Sequence, residues 1–352
     1  MSSTPDQPGP PRQPAGGPSV TAVVLAWQAE PWLPRCVEAL LASEKVSVEV
    51  VLVDNGCTTD DVEILARRPG VTVVRPSRNL GFSGGCNAGA AAATGEFLAL
   101  VNSDAVVEPG TLARLVEEVS RPGVGIAVAS IRLADDPALL NAGANPIHVL
   151  GLSWSGGMGE REERTEPVDT AGASGACLLT TLAHWQRLGG FDEEYFAYHE
   201  DAELSVRTWR LGLRVVYVPD AVAVHRYEFS RNDLKMYLAE RNRLLFVATL
   251  WGIRARLLLA PAFAGLELAW LVRAALEGWL PAKLRGWRWL WTHRRYVRER
   301  RAALHTEQRV PDREWMRVLT PRMDTAVVPL PAVVTPVNAV MSAYWRLVSR
   351  WV

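Results

Sequence analysis

Cysteine is scarce in this chain, and no apolar run goes uninterrupted for the length of a bilayer. The four cysteines, Cys36, Cys57, Cys86 and Cys177, form no CxxC pair and no zinc-ligand spacing. That argues against a disulfide framework or a structural zinc site and favours a reducing, cytoplasmic setting. The start lacks the basic stretch and apolar core of a secretory signal. Residues 1–18 are instead rich in Pro, Gly, Ser and Gln, the composition of a disordered tail. No internal repeat is present. What remains is ordinary for a folded protein: 352 residues, 49% hydrophobic and 22% charged. One large domain with a smaller appendage fits, and disordered or collagen-like classes do not.

The formal net charge of zero hides an asymmetry. Residues 1–230 hold 17 Lys and Arg against 29 Asp and Glu, whereas residues 231–352 hold 21 against 9. The basic part is also rich in Trp and Leu, which favours a lipid surface over a nucleic acid. The plainer alternative is an Arg-rich helical surface facing water.

Short β-rich runs alternate with helical spacing from Val20 onward. Val20 to Ala26, Val48 to Val53, Val71 to Arg75 and Phe97 to Val101 read as strands. Trp32 to Ala42 and Asp61 to Arg68 read as helices, and Ala88 to Thr94 continues another. This alternation predicts an α/β fold with a mostly parallel sheet flanked by helices, whose ligands sit at the carboxyl ends of the strands. Asp54 and Asp104 both fall at such ends. Ile131 to Pro167 is Gly-rich and irregular, as in a long active-site loop or a pair of edge strands. Ala176 to Thr180 is a further strand, Asp201 to Leu211 a helix, and Leu213 to Val218 a strand ended by Pro219. From about Tyr227 the pattern turns helical. Leu257 to Val272 is apolar but broken by Pro261 and Glu267, which favours an in-plane or re-entrant helix pair over a span. Trp279, Trp287, Trp289 and Trp291 alternate with Lys283, Arg285, Arg288, Arg294 and Arg295, as suits a headgroup layer. Val337 to Trp351 has the spacing of another amphipathic helix.

Several polar groups could carry chemistry. Asp54, after a buried strand, can accept from a nucleobase imide, although Asp is also a common turn residue. Residues 78–89 form a Gly-rich stretch leading into a helix, where backbone N–H groups and Arg78 could face a phosphate. It is neither a Walker loop nor a dinucleotide fingerprint, because no Gly-Lys-Ser/Thr follows and it does not succeed the first strand. Asn102-Ser103-Asp104 is a polar strand tip whose carboxylate suits Mg²⁺ or Mn²⁺. Glu200 and Asp201 open a helix; either capping or proton abstraction would account for them. His225 ends a strand and gains interest only beside Asp104.

The order of these segments resembles family 2 glycosyltransferases with a GT-A fold, specifically their bacterial rhamnosyltransferase-like branch. The resemblance runs from about Val20 to Arg243. It rests on Val-Asp54-Asn-Gly, Asn79-Leu-Gly-Phe-Ser-Gly-Gly-Cys-Asn87-Ala-Gly, Asn102-Ser-Asp104, Ser174-Gly-Ala-Cys, Gly189-Gly-Phe-Asp192, His199-Glu-Asp201 and Pro219 to His225. It implies that Ala26, Asp54, Arg78, Gly84, Gly85, Asn87, Asn102, Ser103 and Asp104 bind a nucleoside-diphosphate sugar. Asp104 and His225 would hold Mg²⁺ or Mn²⁺. Asp201, with Glu200 beside it, would be the base of an inverting transfer. Arg241 and Arg243 are acceptor-side candidates. Two departures stand out: Ala26-Trp27-Gln28 replaces a frequent Thr-Tyr-Asn, and Asn102 replaces the first metal-site Asp.

The expected organisation is a tail (1–18), a GT-A catalytic domain (19–230), a basic Trp-rich membrane-associating region (231–305) and an extension with an amphipathic end (306–352). Expected partners are the sugar donor, a lipid-linked or glycan acceptor and the inner membrane surface, with no nucleic acid. That setting is the cytoplasmic face of the plasma membrane. Rival readings are a non-catalytic nucleotide-sugar-binding scaffold, a transferase with a soluble acceptor, and a nucleotidyltransferase. The last is disfavoured because no early Gly-rich loop and lysine lie near Val24.

Overall fold

A computed structural model describes residues 17–226, 232–323 and 331–352. Apart from its last two residues, the expected tail lies outside them.

The first half builds β1 (Ser19–Gln28), α1 (Leu33–Leu41), β2 (Ser47–Cys57), α2 (Asp61–Leu65), β3 (Val71–Val74), α3 (Gly81–Ala90) and β4 (Phe97–Val101). Then come β5 (Ala105–Val107), α4 (Thr111–Val119), β6 (Val124–Leu133), β7 (Leu140–Ala142), β8 (Val168–Asp169), β9 (Cys177–Thr181), α5 (Leu182–Leu188), α6 (Glu200–Arg210) and β10 (Arg214–His225). They form one sheet in the order β3-β2-β1-β4-β9-β6-β10-β5, with β7 on β6 and β8 on β10. β1 to β4 pair in parallel as expected, and β6 pairs in parallel with β10. β9 runs antiparallel to both β4 and β6, so the sheet is mixed.

Alternation along β1 sends Val20, Ala22 and Val24 to one face, against Leu33, Val37 and Leu40 of α1. Val23 points to the opposite face, in a core with Cys86 of α3, Trp185 of α5 and Leu204 of α6. Two expected boundaries shift. β2 does not stop before Asp54 but continues through Gly56, whose φ of 110° a glycine adopts readily. β10 does not stop at Pro219 but runs on to His225, with a register shift between Val218 and Val222 that absorbs the missing proline N–H.

The second half is a helical layer: α7 (Asp233–Leu250), α8 (Ile253–Leu276), α9 (Leu280–Thr292), α10 (Arg294–Glu307), α11 (Asp312–Trp315) and α12 (Pro331–Val348). α8 is one helix despite Pro261, and its length and composition would allow it to cross a membrane. The layer shares a third core with the 147–152 segment, where Phe246, Trp251 and Trp315 meet Ile147, Val149 and Leu150. Trp251 Nε1 donates to the Val149 carbonyl at 2.9 Å.

Candidate active site

Antiparallel pairing sets Ala105 of β5 opposite His225 of β10, which brings the adjacent Asp104 to the histidine. His225 Nε2 lies 3.0 Å from Asp104 Oδ1, and Nδ1 lies 2.8 Å from Asn141 Oδ1. The amide oxygen fixes the ring from behind, as outer partners of ligating histidines do. An imidazole nitrogen facing a carboxylate oxygen is a pairing that a proton or a divalent cation can bridge. The strand tip itself is a tight turn, with Ala105 N donating to the Asn102 carbonyl at 3.0 Å. Asn102, Ser103 and Asp104 all stay partly exposed there.

Asp201 is joined to this tip through two consecutive residues, Gly175 and Ala176. Gly175 N donates to Asp201 Oδ2 at 3.0 Å, and Asn102 N donates to the Ala176 carbonyl at 3.0 Å. Asp201 also accepts from Ala202 N at 2.7 Å. Deep packing raises its carboxyl above the ordinary range, and a partial opening to solvent remains. Burial, and then the neighbouring Asp201, push Glu200 well up as well. Glu200 is 6% exposed, and its Oε2 has no partner among the described residues. His199, whose Nε2 lies 3.2 Å from the Gly151 carbonyl, is pushed down to about 4 by burial and is neutral.

On the donor side, Asp54 sits beside Ala26 in the β1–β2 register, and its Oδ1 accepts from Cys57 N at 3.0 Å. Ala26 itself is fully buried in the core, so its side chain faces away from any ligand. The neighbouring Trp27 is 53% exposed and lies alongside Gly56: a Cβ added to Gly56 would stand 3.7 Å from its ring. Arg78 is exposed.

The Gly-rich stretch differs from expectation, because it is itself the helix α3. Its glycines serve packing: a Cβ on Gly85 would meet Leu25 at 2.5 Å, and one on Gly84 would meet Leu80 at 2.9 Å. Three N–H groups at its start are already taken. Leu80 N donates to Asn55 Oδ1, Gly81 N to Asn79 Oδ1 and Ser83 N to the Phe196 carbonyl. The Asn87 amide clamps Phe191, with both backbone bonds at 2.9 Å. Of the residues expected to line a phosphate, Asn87 is engaged by the protein's own backbone, while Gly84 and Gly85 lie inside α3 against Leu80 and Leu25.

Arg241 and Arg243 are likewise engaged inside the scaffold. Arg241 donates to the Glu194 and Tyr195 carbonyls and stacks over Trp289, with its carbon 4.9 Å from the ring centre. Arg243, 1% exposed, pairs with Glu240 and Glu267. Lys283, expected at a lipid surface, is fully buried in the same cluster, 2.6 Å from Glu240 and 3.0 Å from Glu267. No guanidinium of this pair is presented to an acceptor phosphate.

Sequence reasoning missed Asn55, Asn141 and the exposed position of Trp27. Asn141 falls in the irregular segment, where no periodicity marks a strand. The segment before α6 contributes Gly189 to Phe196 to the resemblance, but its turn geometry left no signal in the sequence. Phe196 has φ 61° and ψ −59°, with Ala197 N donating to the Tyr195 carbonyl at 2.6 Å. This is a three-residue turn of the rare strained hand. Tyr198 and His199 follow with φ of 72° and 70°. Such conformations cost about 1–3 kcal/mol each and persist only where the surroundings enforce them.

Residues 21–183 match the family described as Glycosyl transferase family 2. The chain is 29% identical over 253 residues to N-acetylglucosaminyl-diphospho-decaprenol L-rhamnosyltransferase of Mycobacterium tuberculosis, covering 64% of this chain and 82% of that protein. Among solved structures it is similar to GalNAc-T7 with UDP, GalNAc and Mn²⁺ (TM-score 0.53, 19% identity, 66% of this chain and 48% of that one). It is also similar to a mannosyltransferase from Pyrobaculum calidifontis with GDP-Man and Mn²⁺ (TM-score 0.52, 21% identity, 83% and 86%). The protein is a glycosyltransferase with a GT-A-like α/β fold. The family 2 match covers residues 21–183, and the similarity to the mycobacterial enzyme makes the chain rhamnosyltransferase-like.

Proposed function

We propose that this enzyme transfers one sugar, with inversion, from a nucleoside-diphosphate donor to a polyprenyl-linked or cell-surface glycan acceptor at the inner face of the plasma membrane. The donor is dTDP-rhamnose or a UDP-sugar. The observation that carries this reading is the short hydrogen-bonded path from Asp104 and His225 through Asn102, Ala176 and Gly175 to Asp201. The proposed metal pair at the β4–β5 tip and the raised carboxyl at the start of α6 are thereby linked.

Mg²⁺ or Mn²⁺ fits the Asp104 carboxylate and His225 imidazole, and would neutralise charge on the departing diphosphate. No group of three or more His, Cys, Asp or Glu suited to a metal occurs among the described residues, so donor oxygens or water would complete the shell. The Mn²⁺ in both similar solved structures supports this. Asp54 accepts from the base, beside the Trp27 indole, and Arg78 lies near the diphosphate. Asp201 takes the acceptor hydroxyl proton as the new oxygen–carbon bond forms and the bond to diphosphate breaks. Its raised pKa brings its basicity closer to working pH.

The acceptor assignment draws support from the decaprenol-linked substrate in the relative's name. It also draws on α8, which exposes Ile253, Leu257, Leu268, Val272 and Leu276 along one side. Glu267, midway along α8, is tied inward to Arg243 and Lys283. Carrying α8 across a bilayer would break that buried cluster, whereas lying in the plane of one leaflet preserves it.

Incubating the purified chain and bacterial membranes with labelled nucleotide sugars, with and without a chelator, tests the reading. A lipid-extractable sugar product that the chelator abolishes is expected. Neither transfer nor donor hydrolysis across the panel would leave the scaffold reading standing.

A further inference from the structure

We propose that Asn242, on α7, is a positioning residue that holds the segment Tyr195–His199 in its strained path and so aims Glu200 and Asp201; the catalytic part of this rests on the proposed function. Asn242 is fully buried. Its amide nitrogen lies 2.9 Å from the Tyr195 carbonyl, 2.8 Å from that of Ala197 and 2.7 Å from that of Tyr198. Its amide oxygen accepts from Arg241 Nε at 2.9 Å. One side chain of the helical layer thus gathers three carbonyls of a five-residue segment.

That segment needs holding. Phe196, Tyr198 and His199 all have positive φ, and none is glycine. The turn at Phe196 serves a purpose, since its carbonyl caps α3 by accepting from Ser83 N at 3.1 Å. Gly81 is what lets it approach: a Cβ there would lie 2.4 Å from the Phe196 oxygen. The segment is therefore pinned at one side to the donor-side helix and at the other to α7, and the next two residues are the acidic pair. Strain at an active-site margin, enforced from outside, is the signature of preorganisation. Asn242 makes no hydrogen bond to Glu200 or Asp201; it acts through the backbone that carries them.

The experiment compares Asn242→Ala in the full chain with wild type by amide hydrogen exchange and steady-state kinetics. Exchange in residues 195–200 should rise at least about tenfold while the β1–β4 strands stay unchanged. Transfer should show kcat down about 100-fold with the donor KM within about twofold, because an aiming fault spares ground-state binding. Adding Tyr198→Gly, which relieves the positive-φ strain at an exposed side chain, should restore part of kcat. If Asn242→Ala does not fold, Asn242→Ser, which keeps one donor, should fall between the two. Unchanged exchange in 195–200, or equal loss in every element, overturns the proposal. The exchange result stands even if no nucleotide sugar is turned over, so failure of the enzyme reading and failure of this one are separable.

Discussion

The sheet and the helical layer distribute polarity in opposite ways. In the sheet, apolar strands fill the interior, and the candidate carboxylates Asp54 and Asp104 stay partly exposed at its edge, with Asp201 of α6 joined to that edge through Gly175. In the layer, Glu240, Arg243 and Lys283 are buried, with Glu267 closing the cluster, while Leu257, Leu268, Leu276 and Trp291 face outward. A water-soluble surface does not require that inversion; scattered exposed apolar residues are common, but an ordered stripe of them marks an interface. The contrast teaches that charge in this chain is placed in two ways: open to solvent at the sheet edge, where chemistry is proposed, and paired for cohesion inside the layer. Composition alone assigned the basic half to a lipid headgroup contact, but several of its cations are inside.

The sharpest way to break this comparison is to disarm the edge. Asp201→Asn should lower kcat by about 10²–10⁴, the usual contribution of a positioned base. Asp104→Ala should abolish dependence on added Mn²⁺, and both variants should melt like wild type. Because burial raises Asp201, activity should fall with acidity above the ordinary carboxylate range: the base works only when ionised, and a raised pKa shifts its protonation upward. Wild-type rates in both variants would remove the sheet edge from the chemistry.

Next in size is the layer's interior. Glu267→Ala leaves Arg243 and Lys283 sharing Glu240 alone in a buried site, a loss of about 3–5 kcal/mol. Chemical denaturation measures it. A loss near zero would mean that these charges only decorate the layer. Glu267→Leu combined with Lys283→Met should recover much of the loss, since a well-packed apolar pair often replaces a buried ionic one.

The layer's outer face is the third test. Leu257→Glu with Leu268→Glu should cut co-flotation with anionic liposomes by about tenfold or more, given about 1.5–3 kcal/mol per buried Leu. Folding stability should move by no more than about 0.5 kcal/mol per site, because both side chains are exposed. Unchanged flotation would leave the apolar stripe without a lipid role.

These differences also explain what could be read in advance. Strand positions were legible because β1, β2 and β4 carry largely apolar runs, whereas the pairing of Asp104 with His225 was implied by the family resemblance and not by spacing. Helix α3 misled because glycine usually signals a loop; here the close approach of Leu25 and Val23 requires it inside a helix. Arg241, Arg243 and Lys283 misled for a different reason. Local spacing reveals that a residue is charged, but not that a partner 24 or 43 residues away in sequence neutralises it, as Glu267 does for Arg243 and Glu240 for Lys283. The strained turn at Phe196 left no signal, since no glycine marks it.

The smallest expected effect concerns the grip on the base, where the sheet edge itself shows an exposed apolar side chain. Trp27 stands where a family 2 enzyme often has tyrosine, and its indole lies beside Gly56 and next to the Asp54 position. If it stacks on the nucleobase while Asp54 reads the imide edge, the two contacts are separable. Trp27→Ala should raise the donor KM by about two- to tenfold, matching about 0.5–1.5 kcal/mol for an aromatic pair, with kcat unchanged. Trp27→Tyr should recover most of it. Asp54→Asn should instead change the preference between uracil or thymine donors and GDP-sugars, because it alters hydrogen bonding rather than stacking. An unchanged KM in Trp27→Ala would show that this exposed ring belongs with the apolar outer face of the helical layer in kind, a surface without a part in donor binding.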